Sequence, residues 1–315
     1  MACTRPSVPC VFFGFMELWI PITIAAAFCQ NLRFMLQKHL KATRLSTGGA
    51  TFARFLFAAP LVLILLASLV WVNGWSVPAL NVRFLLFATF GGLAQILATA
   101  LVIALFSQRN FAVGITFKKT ETIQTALVGG IVLGEGISGY GLLALLIGLV
   151  GIVILSDPPG KGGRWRRFFN RAACLGMASG ALFGVSAIGY RGASLALVDG
   201  HFLLRSVFTL MCVTIFQSII MAVWLQFREA GEIGKVVQHW RVTSLVGLTG
   251  MLGSLCWFTA FTLQNAAYVK ALGQVELIFS FCASYFIFNE ATARREVMGI
   301  VLIVLSIVIL VLFLK

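Results

Sequence analysis

Acidic residues are scarce in this chain, ten in 315, and histidine occurs three times, at His39, His201 and His239. The histidines fall near the ends of apolar segments with no metal-ligand spacing among them, so neither a metal centre nor any other cofactor is expected. None lies inside an apolar segment and no loop is rich in aspartate, which removes the nucleophile–base pair or metal cluster that a membrane-embedded enzyme would need. The seven cysteines contain no CxxC, and five of them sit within apolar segments. That pattern excludes a disulfide framework and leaves them as small core residues.

What is present is hydrophobic. Apolar residues make up 60% of the chain and charged residues 11%, with a mean hydropathy of +0.98. Soluble domains carry about a quarter charged residues, so the composition is that of a polytopic membrane protein. The formal charge of +14 does not imply a nucleic-acid partner, because lysine and arginine sit in short linkers between apolar runs and not on one solvated face. Residues 1–15, with Arg5, Pro6 and Pro9, lead into VFFGF, but Glu17 interrupts the run and no small-residue cleavage site follows. Residues 1–16 are therefore expected to be an extension and not a signal peptide, with Met16 an alternative start.

A membrane-spanning helix needs about 20 mostly apolar residues. Ten such stretches are expected: Leu18–Leu36, Ala50–Trp71, Phe84–Ser107, Phe111–Leu133 and Gly136–Ser156, then Ala172–Leu197, Phe202–Leu225, Thr243–Leu263, Tyr268–Phe288 and Val297–Leu314. The linker of residues 157–171, DPPGKGGRWRRFFNR, cannot continue a membrane helix and divides five spans from five. An offset of 155 residues carries Glu121 to Glu276, Glu135 to Glu290, Asn110 to Asn265, and GIVIL at Gly151–Leu155 to SIVIL at Ser306–Leu310. The organisation expected is thus a repeat over 17–156, a basic linker over 157–171 and a second repeat over 172–315. An odd number of spans per repeat inverts the second relative to the first, the arrangement that places a substrate site between repeats near the midplane. The fold class expected is all-α, with ten transmembrane helices in two inverted five-helix repeats.

The fourth stretch is the least suited to lipid. Lys118, Lys119 and Glu121 lie inside it, and a charge at the bilayer centre costs roughly 2.5–3.5 kcal/mol on insertion scales, so such residues face a bundle interior or a path. At about 100° per residue, Lys118, Glu121, Thr122 and Thr125 share one face, with Lys119 about a quarter turn away. The matching part of the ninth stretch presents Gly273, Gln274 and Glu276. Lys118, Lys119, Glu121, Thr122, Gln274 and Glu276 are therefore the expected substrate-binding residues, with Asn31, Arg33, Gln95 and Trp257 as further cavity candidates. The alternatives are a structural Lys118–Glu121 pair at i, i+3 and a Glu276 that merely partners a lysine. Arg33 is expected to snorkel, its span ending a turn later, while Arg54 and Arg205 are expected to anchor helix ends at the interface. Glu135 and Glu290 are expected to cap helices or hold loops. Glycines at 176, 180 and 184 and at 247, 250 and 253 are expected to let helix backbones approach.

Two five-helix units, LGE at Leu133–Glu135, FNE at Phe288–Glu290 and the run GLLALLIGLVGIVIL together resemble the EamA branch of the drug/metabolite transporter superfamily, over about Leu18 to Leu314. The resemblance implies a multi-pass permease of the cytoplasmic (inner) membrane that exports or imports a small metabolite by alternating access. Relatives that move phosphorylated sugars use basic cavity residues, so the Lys118–Lys119 pair implies an anionic or zwitterionic substrate. Partners expected are a small-molecule solute and the lipid bilayer, without nucleic acid, and a homodimer is compatible with the sequence. A lipid-linked phosphate carrier flippase or an accessory membrane subunit is the alternative. Basic residues cluster in the odd-numbered linkers, which by the positive-inside rule puts both termini outside, whereas the family resemblance puts both inside.

Overall fold

The computed structural model describes residues 17–43, 45–105, 117–155, 171–279 and 294–313. These form eleven helices, and among the described residues there is no strand. In chain order they are α1 (Trp19–Thr43), α2 (Thr47–Asn73), α3 (Val82–Leu105), α4 (Glu121–Leu133), α5 (Gly139–Leu155), α6 (Arg171–Ala196), α7 (Phe202–Arg228), α8 (Glu232–Gln238), α9 (Trp240–Leu263), α10 (Ala266–Leu272) and α11 (Arg294–Phe313). Seven of them, α1, α2, α3, α6, α7, α9 and α11, are long and apolar enough to cross a membrane, while α4 and α5 are shorter apolar helices. The FNE motif at Phe288–Glu290, Asn110, most of the central linker and residues 1–16 lie outside the described residues.

The distribution of polarity is inverted relative to a soluble domain. Ile64, Phe90, Ile131 and Phe227 are exposed on the outer surface, whereas Arg33, Arg54, Lys118, Lys119, Glu121 and Gln217 are buried. Water around such a surface would be unfavourable at every apolar position, and hydrocarbon would not. The chain is a multi-pass membrane protein.

Two of the expected continuous spans are broken. In the fourth, residues 117–118 are helical, Lys119 and Thr120 form a turn, and α4 begins at Glu121. In the ninth, α10 ends at Leu272, Gly273 and Gln274 form a turn, and residues 275–279 are helical. Hydrogen bonds in both turns reach back three residues: Thr120 N–H to Phe117 O at 3.2 Å, Gln274 N–H to Ala271 O at 3.1 Å and Glu276 N–H to Gly273 O at 3.2 Å. The Thr120 hydroxyl also donates to Phe117 O at 2.7 Å, competing locally with the helix. Charge favours the same breaks, because lysines lie at the carbonyl ends of the preceding helices and carboxylates lie in the first turn of the following ones. Such irregular backbone is tolerated at membrane depth where protein or a cavity surrounds it.

α3 packs on α6, α1 on α9, α5 on α11, α2 on α7 and α9, and α4 on α6 and α10. Two crossings depend on glycine. A Cβ at Gly189 of α6 would lie 2.7 Å from the Gly91 Cα of α3, and one at Gly151 of α5 would lie 2.9 Å from the Gly299 carbonyl oxygen of α11. Gly180 and Gly184 of α6 face α4, the first against the Lys118 carbonyl at the break and the second against Thr125.

Candidate functional site

The two broken segments meet, and their charges pair crosswise. Lys119 pairs with Glu276, and Lys270 of α10 pairs with Glu121. Each half of the chain thus supplies a carboxylate to the other half's lysine. Lys118 lies 3.8 Å from Glu121 at i, i+3, the pair the sequence spacing offered. The amide of Gln274 donates to the Thr122 hydroxyl at 3.1 Å, joining the breaks a second time, and the Gln30 amide donates to Glu276 at 3.1 Å. All six expected substrate-binding residues are buried, and they line one cavity together with Gln30, Trp257, Lys270 and Gly273. With the ion pairs closed, the void left is about 20 Å³, room for one water.

Two arginines extend this positive region. The Arg33 guanidinium lies 4.5 Å from the Phe34 ring centroid, and the Lys118 ammonium lies 5.1 Å from the same centroid. Arg33 and Arg54 both pack over Gly250 of α9. Arg54 donates to the Thr99 hydroxyl at 3.2 Å and the Ser254 hydroxyl at 3.0 Å. Among the described residues no carboxylate lies within ion-pair distance of either arginine. Among the described residues, five buried cations (Arg33, Arg54, Lys118, Lys119 and Lys270) thus gather with two buried carboxylates (Glu121 and Glu276), a formal excess of three positive charges.

Several expectations are corrected here. Arg33 does not snorkel: α1 continues to Thr43, which puts Arg33 ten residues before the helix end and 3% exposed. Arg54 is not an interface anchor, being 4% exposed and hydrogen-bonded to α3 and α9. Lys270, which the sequence analysis did not single out, lines the site, because α10 begins at Ala266 and the break follows three residues after the lysine. Its spacing before Gly273 and Glu276, with Asn265 capping the helix at Ala267 N–H, was the signal available. Gln30, Tyr190 and Gln217 were also missed. Tyr190 donates to Gln95 at 2.7 Å, and the Gln217 amide donates to Gln95 at 3.0 Å and to Gly92 O at 2.9 Å, so Gln95 belongs to a buried polar network. Trp257 lines the charged cavity, whereas Asn31 is half-buried and lines none of the cavities described. Tyr268 accepts from Ser138 N–H at 2.9 Å, away from the charges.

Contacts also join the two halves beyond the site, toward either end of the helices. On one side Glu135 pairs with Arg191, which donates further to Phe261 O and Gln264 O at 2.6 Å, so Glu135 holds a loop as expected. On the other, the Ser46 hydroxyl bonds Glu229 and Ser46 N–H donates to Glu232 at 3.0 Å. Glu232 lies on α8, outside the spans. Burial pushes its carboxyl up, but the bonds from Lys235 and Ser46 outweigh this and hold it below the ordinary carboxylate value.

A solved structure described only as "Crystal structure of protein" is 13% identical to this chain and aligns with a TM-score of 0.65, covering 92% of this chain and 95% of the other. At that identity the likeness shows a shared fold. No curated protein matches the chain. The family resemblance read from the two five-helix units, LGE, FNE and the run GLLALLIGLVGIVIL is borne out by a match to the EamA-like transporter family over residues 170–312.

Proposed function

We propose that the protein is a secondary transporter that carries a small anionic or zwitterionic metabolite across the inner membrane by alternating access, with its site at the two helix breaks. The observation that carries this is the excess of cations around the crosswise Lys119–Glu276 and Lys270–Glu121 pairs. Buried cations without counter-charges are unfavourable in a low-dielectric interior. An entering anion supplies the missing charge and forms charge-assisted hydrogen bonds with lysines that point toward one small space. Lys118, Lys119 and Lys270 bind the anionic group, and Glu276 and Glu121 hold the lysines in place or meet an amine on a zwitterion.

The organisation proposed is two inverted repeats, 17–156 and 172–315, joined by the basic linker and supplying ten spans. Support comes from the packing pairs. Exchanging the halves turns α1 on α9 into α6 on α3, and leaves α2 on α7 and α5 on α11 unchanged. Discontinuous helices at matched places in two inverted repeats are the recurrent construction of a midplane transport site. Alternating access then consists of releasing the Glu135–Arg191 end while the Ser46–Glu229–Glu232 end stays closed, and the reverse. No step in this scheme needs an enzyme's covalent chemistry.

The test compares solutes in medium and cytoplasm of cells making the protein or equal amounts of Lys118→Ala. An anionic or zwitterionic solute that redistributes with the intact protein and not with the variant is expected. Redistribution of a cationic solute, or of none in either export or uptake format, overturns the proposal.

A further inference from the structure

Trp257 of α9 separates the charged cavity from a second one. The two share Gln30, Trp257 and Lys270 in their walls, and the Lys270 ammonium lies 4.5 Å from the Trp257 ring centroid. Beyond Trp257, α6 and α9 contribute four aromatic side chains, Phe183, Tyr190, Phe258 and Phe261, with Ser186, Ala187 and Ser254 beside them. α1, α2 and α3 contribute polar side chains to the same cavity, Gln30, Arg54 and Gln95. Trp257 is 8% exposed, and among the described residues its indole N–H has no acceptor. A buried donor left unmet is unfavourable, and Trp257 lines both cavities.

From this we infer that the second cavity is a subsite for the body of the transported solute and that it takes an aromatic ring, so that the substrate is an aromatic oxyanion and not a small aliphatic acid. The inference rests on the anion-carrier proposal above. The oxyanion occupies the lysine cluster, an acceptor on the solute meets the Trp257 N–H, and the ring lies among the aromatic side chains. Those side chains already stack on one another, Tyr190 on Phe258 with centroids 4.1 Å apart and Trp257 on Phe261 at 5.5 Å. Such planes accept another ring in offset or edge-to-face geometry, which an aliphatic chain cannot reproduce. Arg54, which lines the same cavity and donates to the Thr99 and Ser254 hydroxyls, supplies a guanidinium for a cation–π contact with that ring. The void now present is about 20 Å³, room for one water, so a ring enters only when the walls part. Because both halves of the chain contribute to its lining, parting the halves is the motion that opens it.

The experiment is thermal unfolding of the purified full-length protein in detergent, titrated with phenylphosphonate, with methylphosphonate and with benzylamine. Both phosphonates are expected to stabilise, phenylphosphonate at a tenfold lower concentration or better, and benzylamine not at all. Phe258→Leu and Phe261→Leu, two independent variants of the aromatic wall, are each expected to bring phenylphosphonate to the methylphosphonate value while leaving the latter unchanged. Equal stabilisation by the two phosphonates would refute the ring subsite and leave the anion site standing. Stabilisation by neither overturns the anion-carrier proposal itself. A phenyl preference that survives in both variants overturns the location assigned to the ring.

Discussion

Removing Glu276 is expected to destabilise this protein more than removing Lys119, and removing both together to cost less than the sum. Both side chains are buried and paired across the two halves. Truncating one member of a buried pair costs about 3–5 kcal/mol, because it strands the other charge. The surrounding charge then ranks the two variants. Lys119→Met reduces the formal positive excess from three to two and leaves Glu276 with the Gln30 amide at 3.1 Å, whereas Glu276→Gln raises the excess to four and strands an ammonium among cations. Glu276→Gln is therefore expected at or above the upper end of that range and Lys119→Met at the lower end. The double variant, which restores the original excess, is expected to recover a coupling energy of roughly 0.5–3 kcal/mol. The assay is equilibrium or thermal unfolding of the four proteins in one detergent at neutral pH. Additive losses, or a Lys119→Met protein weaker than Glu276→Gln, would refute the reasoning about excess charge. Transport should stay absent in the double variant even where stability returns, since the anion contact is gone.

Two further perturbations test the fold around the site. A Cβ at Gly180 would sit 2.8 Å from the Lys118 carbonyl oxygen and 2.9 Å from the Gln124 side chain, so Gly180→Ala should cost about 1–3 kcal/mol by overpacking. Gly130→Ala, at an exposed position of α4, meets nothing closer than the Glu135 carbonyl at 3.8 Å and should gain about 0.5–1 kcal/mol of helix propensity; unfolding shifts of the same sign for both would remove the close-approach explanation. At the α8 latch, the lowered carboxyl of Glu232 contributes stability that is complete above its unfolded value of about 4.3 and is lost as pH falls through the folded value. The gap in unfolding temperature between the native protein and Glu232→Gln should accordingly be widest near neutrality and close in acid. A gap that grows as pH falls would show that the bonds from Ser46 and Lys235 do not hold the carboxylate.

The hydropathy pattern made the helices legible, and the offset of 155 residues made Glu276 legible as the counterpart of Glu121. It also put Thr122 and Gln274 on meeting segments, and the two are hydrogen-bonded. What it hid were the breaks. Counting apolar residues through Phe111–Leu133 is insensitive to a two-residue turn, and a helical wheel drawn across Lys119 and Thr120 assumes a rotation that the turn alters. Lys119 therefore reaches Glu276 instead of sitting a quarter turn off the polar face. The same assumption moved the start of the ninth span past Ala266 and left Lys270 at a boundary. Arg33 was misjudged through the length of α1, since apolar counting stopped at Leu36 while the helix runs seven residues further. The buried network of Gln95, Tyr190 and Gln217 had no signal at all, because single polar residues on three separate helices become a network only once α3, α6 and α7 pack.

The crosswise pairs also set a problem of timing during synthesis. Lys119 leaves the ribosome 157 residues before Glu276, and Glu121 leaves it 149 residues before Lys270. At about 5–20 residues per second, roughly ten to thirty seconds pass in which the first half holds charges whose permanent partners do not yet exist. Only the local Lys118–Glu121 contact is available in that interval. The nascent segment must then rest beside the insertion machinery or in its aqueous groove until the second half arrives, and a ribosome stalled inside the central linker strands a five-helix fragment with exposed lysines in lipid, a ready target for membrane proteases.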